Sequence, residues 1–146
     1  MNRLAHDLNR FVEAQDPIYP RVVAELAAGT KQSHWMWFVF PQITGLGFSA
    51  LAQRYAIDSR AEAEAYLAHP VLGPRLIECT RLVLGVTGKT IRAILGSPDD
   101  LKFRSSMTLF DAVSDNPIFA EAIEKYYAGE KDQATLATLE RMDGQS

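Results

Sequence analysis

The strongest constraint on the fold is a succession of helix-length segments that end at proline, glycine or a capping residue. Asp16-Pro17 ends the first segment, because a residue that precedes proline is pushed out of the α region. Pro20 suits the first turn of the second segment, and Gly29 suits its C-terminal end. This punctuation continues along the chain and predicts short helices joined by short connections.

Later segments begin with side chains that can cap a helix. Ser59 followed by Glu62 has the spacing of a capping box. The segment 97–100 combines the hydroxyl of Ser97 as a cap, a first-turn proline and two carboxylates, which favour the positive end of a helix dipole. Asn116-Pro117 repeats this arrangement, and Asp132 is placed to cap a last helix.

The apolar residues between these signals recur at helical rather than strand spacing. Leucines and other apolar side chains from Leu72 to Val83 are three or four residues apart, the period of one buried helical stripe. No alternating run is long enough to require a sheet, although a short hairpin between Phe40 and Phe48 remains open. The sequence predicts an all-α fold, a compact single-domain bundle of roughly seven to eight short helices over residues 1–146.

Charge and cysteine content narrow the classes of function. The formal net charge of −3 opposes binding to a phosphate backbone, so no nucleic-acid partner is expected, although a local basic patch can still bind a small anion. Cys79 is the only cysteine, which excludes an intrachain disulfide and favours the cytoplasm. Met1 to Gln15 lacks the pattern of a signal peptide, and the apolar run Trp35 to Phe40 is too short to span a bilayer, so no membrane association is expected.

Aromatic residues are concentrated in the segment 33–42, which contains both tryptophans, two phenylalanines and a histidine in a chain that is 10% aromatic. If this segment is helical, His34, Trp37 and Phe38 share one face. One interpretation places these rings in the core. The other uses them to stack on a flat ligand such as a nucleobase, with directional hydrogen bonds from His34 and Gln42. Both interpretations remain open.

A second unusual segment, 100–110, contains three hydroxyl residues within four positions, Ser105, Ser106 and Thr108. Such residues are mediocre helix formers, so they indicate close helix packing or contacts with a bound polar group. Lys102 lies on the same presumed helix and can neutralise an anion that these hydroxyls also contact.

The sequence contains no recognisable catalytic or metal-binding motif. A nucleophile pair of Ser105 or Ser106 with His34 is conceivable, but nothing in the sequence places the side chains together. Gly45 and Gly47 lack the rest of a nucleotide-binding fingerprint and favour a turn between helices. No metal site is predicted, and catalytic residues and cofactor remain unknown.

Two long motifs resemble those of DUF1810, a bacterial family of unknown function whose members are often mislabelled calpastatin. The motifs are His34 to Gln42 and Asp99 to Phe110, and the resemblance extends from Phe11-Val12-Glu13-Ala14-Gln15 to Lys125-Tyr126-Tyr127. It implies a small all-helical fold and brings no established reaction. The calpastatin label is contradicted by the composition, because calpastatin is a long disordered protein and this chain is 47% hydrophobic.

These observations support two hypotheses of different class. The first is a domain that binds or processes a nucleotide-like small molecule related to NAD or ADP-ribose. The second is a non-enzymatic interaction module whose tryptophan-rich face contacts a partner protein or a second copy, so a homo-oligomer remains open. The sequence favours the first, because an interface does not require a lysine and hydroxyl cluster on a distant segment. Its predicted ligand-binding residues are His34, Trp35, Trp37, Gln42, Lys102, Ser105, Ser106 and Thr108.

Overall fold

The computed structural model describes residues 7–144, which contain ten α-helices. The helices are α1 (Asn9–Gln15), α2 (Tyr19–Ala27), α3 (Met36–Val39), α4 (Ala50–Arg54), α5 (Arg60–Ala68), α6 (Leu72–Leu84), α7 (Ile91–Leu95), α8 (Asp99–Ala112), α9 (Ile118–Tyr127) and α10 (Gln133–Gly144). Seven of them are seven residues or longer, so the all-α prediction is confirmed and the predicted number of helices is roughly right. The other three, α3, α4 and α7, have four or five residues each.

Of the four predicted N-caps, those at Ser59 and Asp132 form, whereas Pro117 rather than Asn116 is the residue that precedes α9. The hydroxyl of Ser59 accepts the Glu62 N–H at 3.1 Å, and the carboxylate of Asp132 accepts the Thr135 N–H at 3.3 Å. The predicted cap at Ser97 is wrong. Pro98 is itself the residue that precedes α8, and no side-chain hydrogen bond caps this helix.

The hairpin considered between Phe40 and Phe48 does not form. Ile43 instead makes an isolated parallel bridge with Ile57, and residues 7–144 contain no strand. The Thr44 N–H donates to the Ile57 carbonyl, and the Ile57 N–H donates to the Gln42 carbonyl, both at 2.8 Å. The intervening loop and α4 return the chain to this point, so Ile43 pairs with a residue beyond a helix rather than across a tight turn.

The core is built around α8, which packs against α5, α7, α9 and α10. Every residue of α8 from Ser105 to Phe110 is buried. The ring of Phe110 lies 5.4 Å from that of Tyr66 in α5 and 5.9 Å from that of Phe119 in α9, measured between centroids. Because α8 is fixed on several sides, its first two turns provide a rigid wall for a site.

A buried ion pair joins α1 to α5. Arg10 and Glu62 are 3.0 Å apart, and their side chains are only 8% and 0% exposed. The guanidinium also donates to the carbonyls of Arg54 and Ala56, while Glu62 accepts the Asp58 N–H. This network satisfies both buried charges with hydrogen bonds.

No helix within residues 7–144 is long and apolar enough to cross a membrane. The cytoplasmic location remains a prediction.

Candidate functional site

The start of α8 lines two neighbouring clefts, the smaller of which also includes residues of the 31–37 segment and the larger residues of the 42–52 segment. The smaller cleft has a volume of about 310 Å³, and its lining includes Lys31, His34, Trp37, Pro98, Asp99 and Lys102. The larger has a volume of about 430 Å³, and its lining includes Gln42, Phe48, Pro98, Lys102, Ser105 and Asp132. Pro98 and Lys102 belong to both linings, so the two clefts meet at this pair.

Lys102 and Trp37 are in contact at this junction. The ammonium nitrogen lies 5.0 Å from the centroid of the indole ring, within the range of a cation–π interaction. The same nitrogen is 3.7 Å from a carboxylate oxygen of Asp99, which is an ion pair but longer than a hydrogen bond. The Lys102 side chain is 25% exposed, so part of it is in contact with solvent. Trp37 and Asp99 therefore position the ammonium group, and its N–H groups remain available to hydrogen-bond a ligand.

Lys31 adds a second positive charge to the smaller cleft. Its ammonium lies 2.9 Å from the other carboxylate oxygen of Asp99 and 5.0 Å from the centroid of the Trp35 ring. Two ammonium groups thus share one carboxylate, which leaves an excess of one positive charge beside the exposed side chain of His34. The smaller cleft is locally basic although the whole chain is acidic, and it can attract an anion.

Trp35 lies in the core behind this cleft. Its side chain is 1% exposed, and its indole N–H donates to Oε1 of Glu25 at 2.9 Å. Glu25 also accepts the N–H groups of Gln32 and Ser33 and the hydroxyl of Ser33. Burial opposes ionisation of Glu25, but these four donors outweigh it and lower the pKa of the carboxyl to about 2. The carboxylate therefore fixes the 31–35 segment on α2.

Glu25 and Lys31 belong to the candidate site only through tertiary contacts, and the sequence alone does not indicate them. The partners of Glu25 are seven to ten residues further along the chain, in a loop with no regular spacing. Lys31 meets Asp99 only after folding brings α8 beside the loop. No local pattern marks either residue.

The predicted hydroxyl residues of α8 have separate roles. The hydroxyl of Ser105 donates to Oδ2 of Asp132 at 2.9 Å, and that of Thr108 accepts the Asp132 N–H at 2.9 Å. Both bonds attach the beginning of α10 to α8. Ser105 lines the larger cleft, whereas Thr108 is 1% exposed and supports it from behind.

Ser106 and His34 do not meet Ser105 in a catalytic arrangement. Ser106 is 0% exposed, and its hydroxyl has no hydrogen-bond partner within the described part of the chain. His34 precedes α3 rather than lying on it, so the shared helical face considered for His34, Trp37 and Phe38 does not exist. His34 lines the smaller cleft and Ser105 the larger one. Residues 7–144 also contain no group of three His, Cys, Asp or Glu side chains that could hold a metal ion.

The larger cleft has an apolar rim. Phe48 is 85% exposed and Leu101 is 54% exposed, although both belong to the lining of this cleft. Such large apolar side chains in contact with water are costly to expose and are available to cover a ligand.

Comparison with known proteins places the chain in a family. The sequence signature described as "Protein of unknown function (DUF1810)" matches residues 5–139. The chain belongs to the DUF1810 family. A solved structure with the same fold is that of the conserved hypothetical protein Rv1873 from Mycobacterium tuberculosis. It is 58% identical, with a TM-score of 0.90 over 91% of this chain and 96% of that one. Among curated proteins, none matches this DUF1810 chain.

Proposed function

We propose that the chain binds an anionic, nucleotide-like small molecule related to NAD or ADP-ribose at the two clefts. The observation that carries the proposal is the contact between Lys102 and Trp37 where the clefts meet. A nucleotide combines a flat base with a phosphate, and this pair combines an aromatic ring with a cation. The base and the phosphate of such a ligand would therefore each have a complementary group here, the Trp37 ring and the Lys102 ammonium.

The neighbouring side chains suggest a role for each part of the smaller cleft. Lys31 would add a second positive charge for the phosphate, while His34 offers a ring nitrogen at the open side. Trp37 would contact the base with the part of its ring that remains accessible. Trp35 is buried, so its contribution would be to hold the loop through Glu25 rather than to touch the ligand.

The proposal concerns binding and assigns no chemical step. A general base needs to be within hydrogen-bond reach of the group it activates. In the larger cleft the hydroxyl of Ser105 donates to Oδ2 of Asp132, but the same oxygen also accepts the hydroxyl and the N–H of Thr135 at the start of α10. We therefore assign this contact a structural role.

The test is a thermal-shift and tryptophan-fluorescence screen with AMP, ADP, ADP-ribose, NAD and simple phosphorylated sugars. We expect at least one nucleotide to raise the melting temperature of the wild type and to change its fluorescence. Lys102→Met should abolish both effects, while Lys125→Met should retain them, because Lys125 lines neither cleft. A folded wild-type protein that responds to no member of the panel would contradict the proposal.

The alternative function, a protein-interaction module, is favoured by one observation. Phe48, Leu51 and Leu101 are the large hydrophobic side chains that are exposed within residues 7–144. Phe48 and Leu101 line the same cleft, and exposed apolar side chains that lie together can mark an interface. A concentration-dependent mass in sedimentation equilibrium that Phe48→Ser and Leu101→Ser together abolish would support this alternative, and a monomer at all concentrations would argue against self-association.

A further inference from the structure

We infer that the ligand has two arms joined by an anionic link, with the link at Lys102 and a hydroxylated sugar at Asp132 in the larger cleft. The inference rests on the proposed function and narrows it from any nucleotide-like molecule to a nucleotide with a second sugar, such as ADP-ribose.

The two clefts are small and share lining residues. Volumes of about 310 and 430 Å³ are each near the lower end of the range of roughly 300 to 1,000 Å³ that small-molecule pockets occupy. A ligand that enters both clefts would lie against Pro98 and Lys102, the two residues that line each of them. The centre of such a ligand would therefore face an ammonium group, which favours a phosphate or pyrophosphate at that position.

The two oxygens of the Asp132 carboxylate differ in their hydrogen bonds. Its Oδ2 accepts the hydroxyl of Ser105 at 2.9 Å, the hydroxyl of Thr135 at 2.5 Å and the Thr135 N–H at 3.3 Å. Among the described residues, no hydrogen bond reaches Oδ1 of this carboxylate. Because Asp132 lines the larger cleft, Oδ1 is an acceptor for donors on a ligand.

The residues that line the larger cleft favour a ligand group whose hydroxyls donate hydrogen bonds. Asp132 would repel a second phosphate, whereas its carboxylate can accept the hydroxyls of a sugar, as acidic residues do for ribose in dinucleotide sites. Gln42 lines the same cleft and offers both a donor and an acceptor, which matches a hydroxyl group. The exposed ring of Phe48 at the rim can cover the apolar face of the sugar.

The test is calorimetric titration of AMP, ribose 5-phosphate and ADP-ribose into the wild type and Asp132→Asn. We expect ADP-ribose to bind at least about tenfold more tightly than AMP, since it gains charge-assisted hydrogen bonds to Asp132. Asp132→Asn should reduce the affinity for ADP-ribose far more than the affinity for AMP, which lacks the second sugar. Asparagine preserves the helix cap, and a circular-dichroism melt will verify that the variant is folded.

The outcomes separate the inference from the function on which it rests. If AMP and ADP-ribose bind equally and depend on Lys102, the proposed function stands and the two-armed ligand is wrong. If Asp132→Asn weakens both nucleotides equally, the sugar assignment is wrong, because AMP does not reach the larger cleft in this account. If a folded wild type binds none of the three, the proposed function and this inference both fail.

Discussion

The indole N–H of Trp35 donates to Glu25 at 2.9 Å, which attaches the tryptophan-rich segment to α2. The same carboxylate accepts hydrogen bonds from the backbone N–H groups of Gln32 and Ser33. One ionised side chain therefore holds the loop that carries Lys31 and His34. This relationship makes the geometry of the smaller cleft depend on the charge of Glu25.

Glu25 should make the stability of the protein dependent on acid pH. Its folded pKa of about 2 lies below an unfolded value of roughly 4.3, so its stabilising effect is complete above the unfolded value and is lost as the pH falls toward 2. We expect the free energy of unfolding to fall more steeply between these pH values in the wild type than in Glu25→Gln. Urea titrations at several pH values measure this difference, and parallel curves for the two proteins would contradict it.

The buried pair of Arg10 and Glu62 should be far more important than a surface pair. Glu62→Ala leaves the Arg10 guanidinium without its counter-ion in an almost fully buried position, so we expect a loss of about 3 to 5 kcal/mol in the free energy of unfolding. The control is Lys131→Ala, which breaks a pair with Asp111 in which the lysine is 46% exposed and should cost about 1 kcal/mol or less. Equal losses in urea unfolding would refute the assigned role of the buried pair.

Local contacts in these two networks could be predicted from the sequence, and long-range contacts could not. The caps at Ser59 and Asp132 were predictable, because each accepts an N–H from a residue three positions away. Arg10 and Glu62 are 52 positions apart, and no local spacing could pair them.

The site was partly predictable in the same sense. Parts of both predicted segments line the clefts, and the side chains of Trp37 and Lys102 are in contact. Trp35, Ser106 and Thr108 belong to neither lining. Burial of Trp35, the involvement of Glu25 and the separation of His34 from Ser105 all depend on tertiary packing. Periodicity does not contain that information.

Gly73 should tolerate no side chain. It is the second residue of α6, close to the end of α5, and a Cβ at this position would lie 2.1 Å from the carbonyl oxygen of Leu67. Gly73→Ala therefore requires backbone movement between the two helices, and we expect it to destabilise the fold by at least about 1 to 3 kcal/mol. Gly144→Ala is the matched control, because within the described part of the chain a Cβ there would meet no atom within 4 Å beyond its own helical turn. Thermal melts that rank the two variants equally would show that the close approach is unimportant.

Cys79 should be chemically inert in the folded protein. Burial raises the pKa of its thiol to about 12, and the charge of Glu78 adds to this effect although a hydrogen bond with Tyr19 opposes it. Since the thiolate is the reactive form, we expect no reaction with a disulfide reagent at pH 8 until the protein is unfolded in urea. Rapid modification of one thiol in the native state would contradict the buried environment.

The most direct test of the account is a proton–nitrogen correlation spectrum, in which the two tryptophans give two indole signals. Trp37→Phe assigns them, and ADP-ribose is then added to the wild type. We predict that the Trp37 signal moves on binding, while that of Trp35, buried and bonded to Glu25, moves much less. A Trp37 signal that stays in place at saturating ligand, or a spectrum that does not change at all, would contradict a binding site at Lys102 and Trp37.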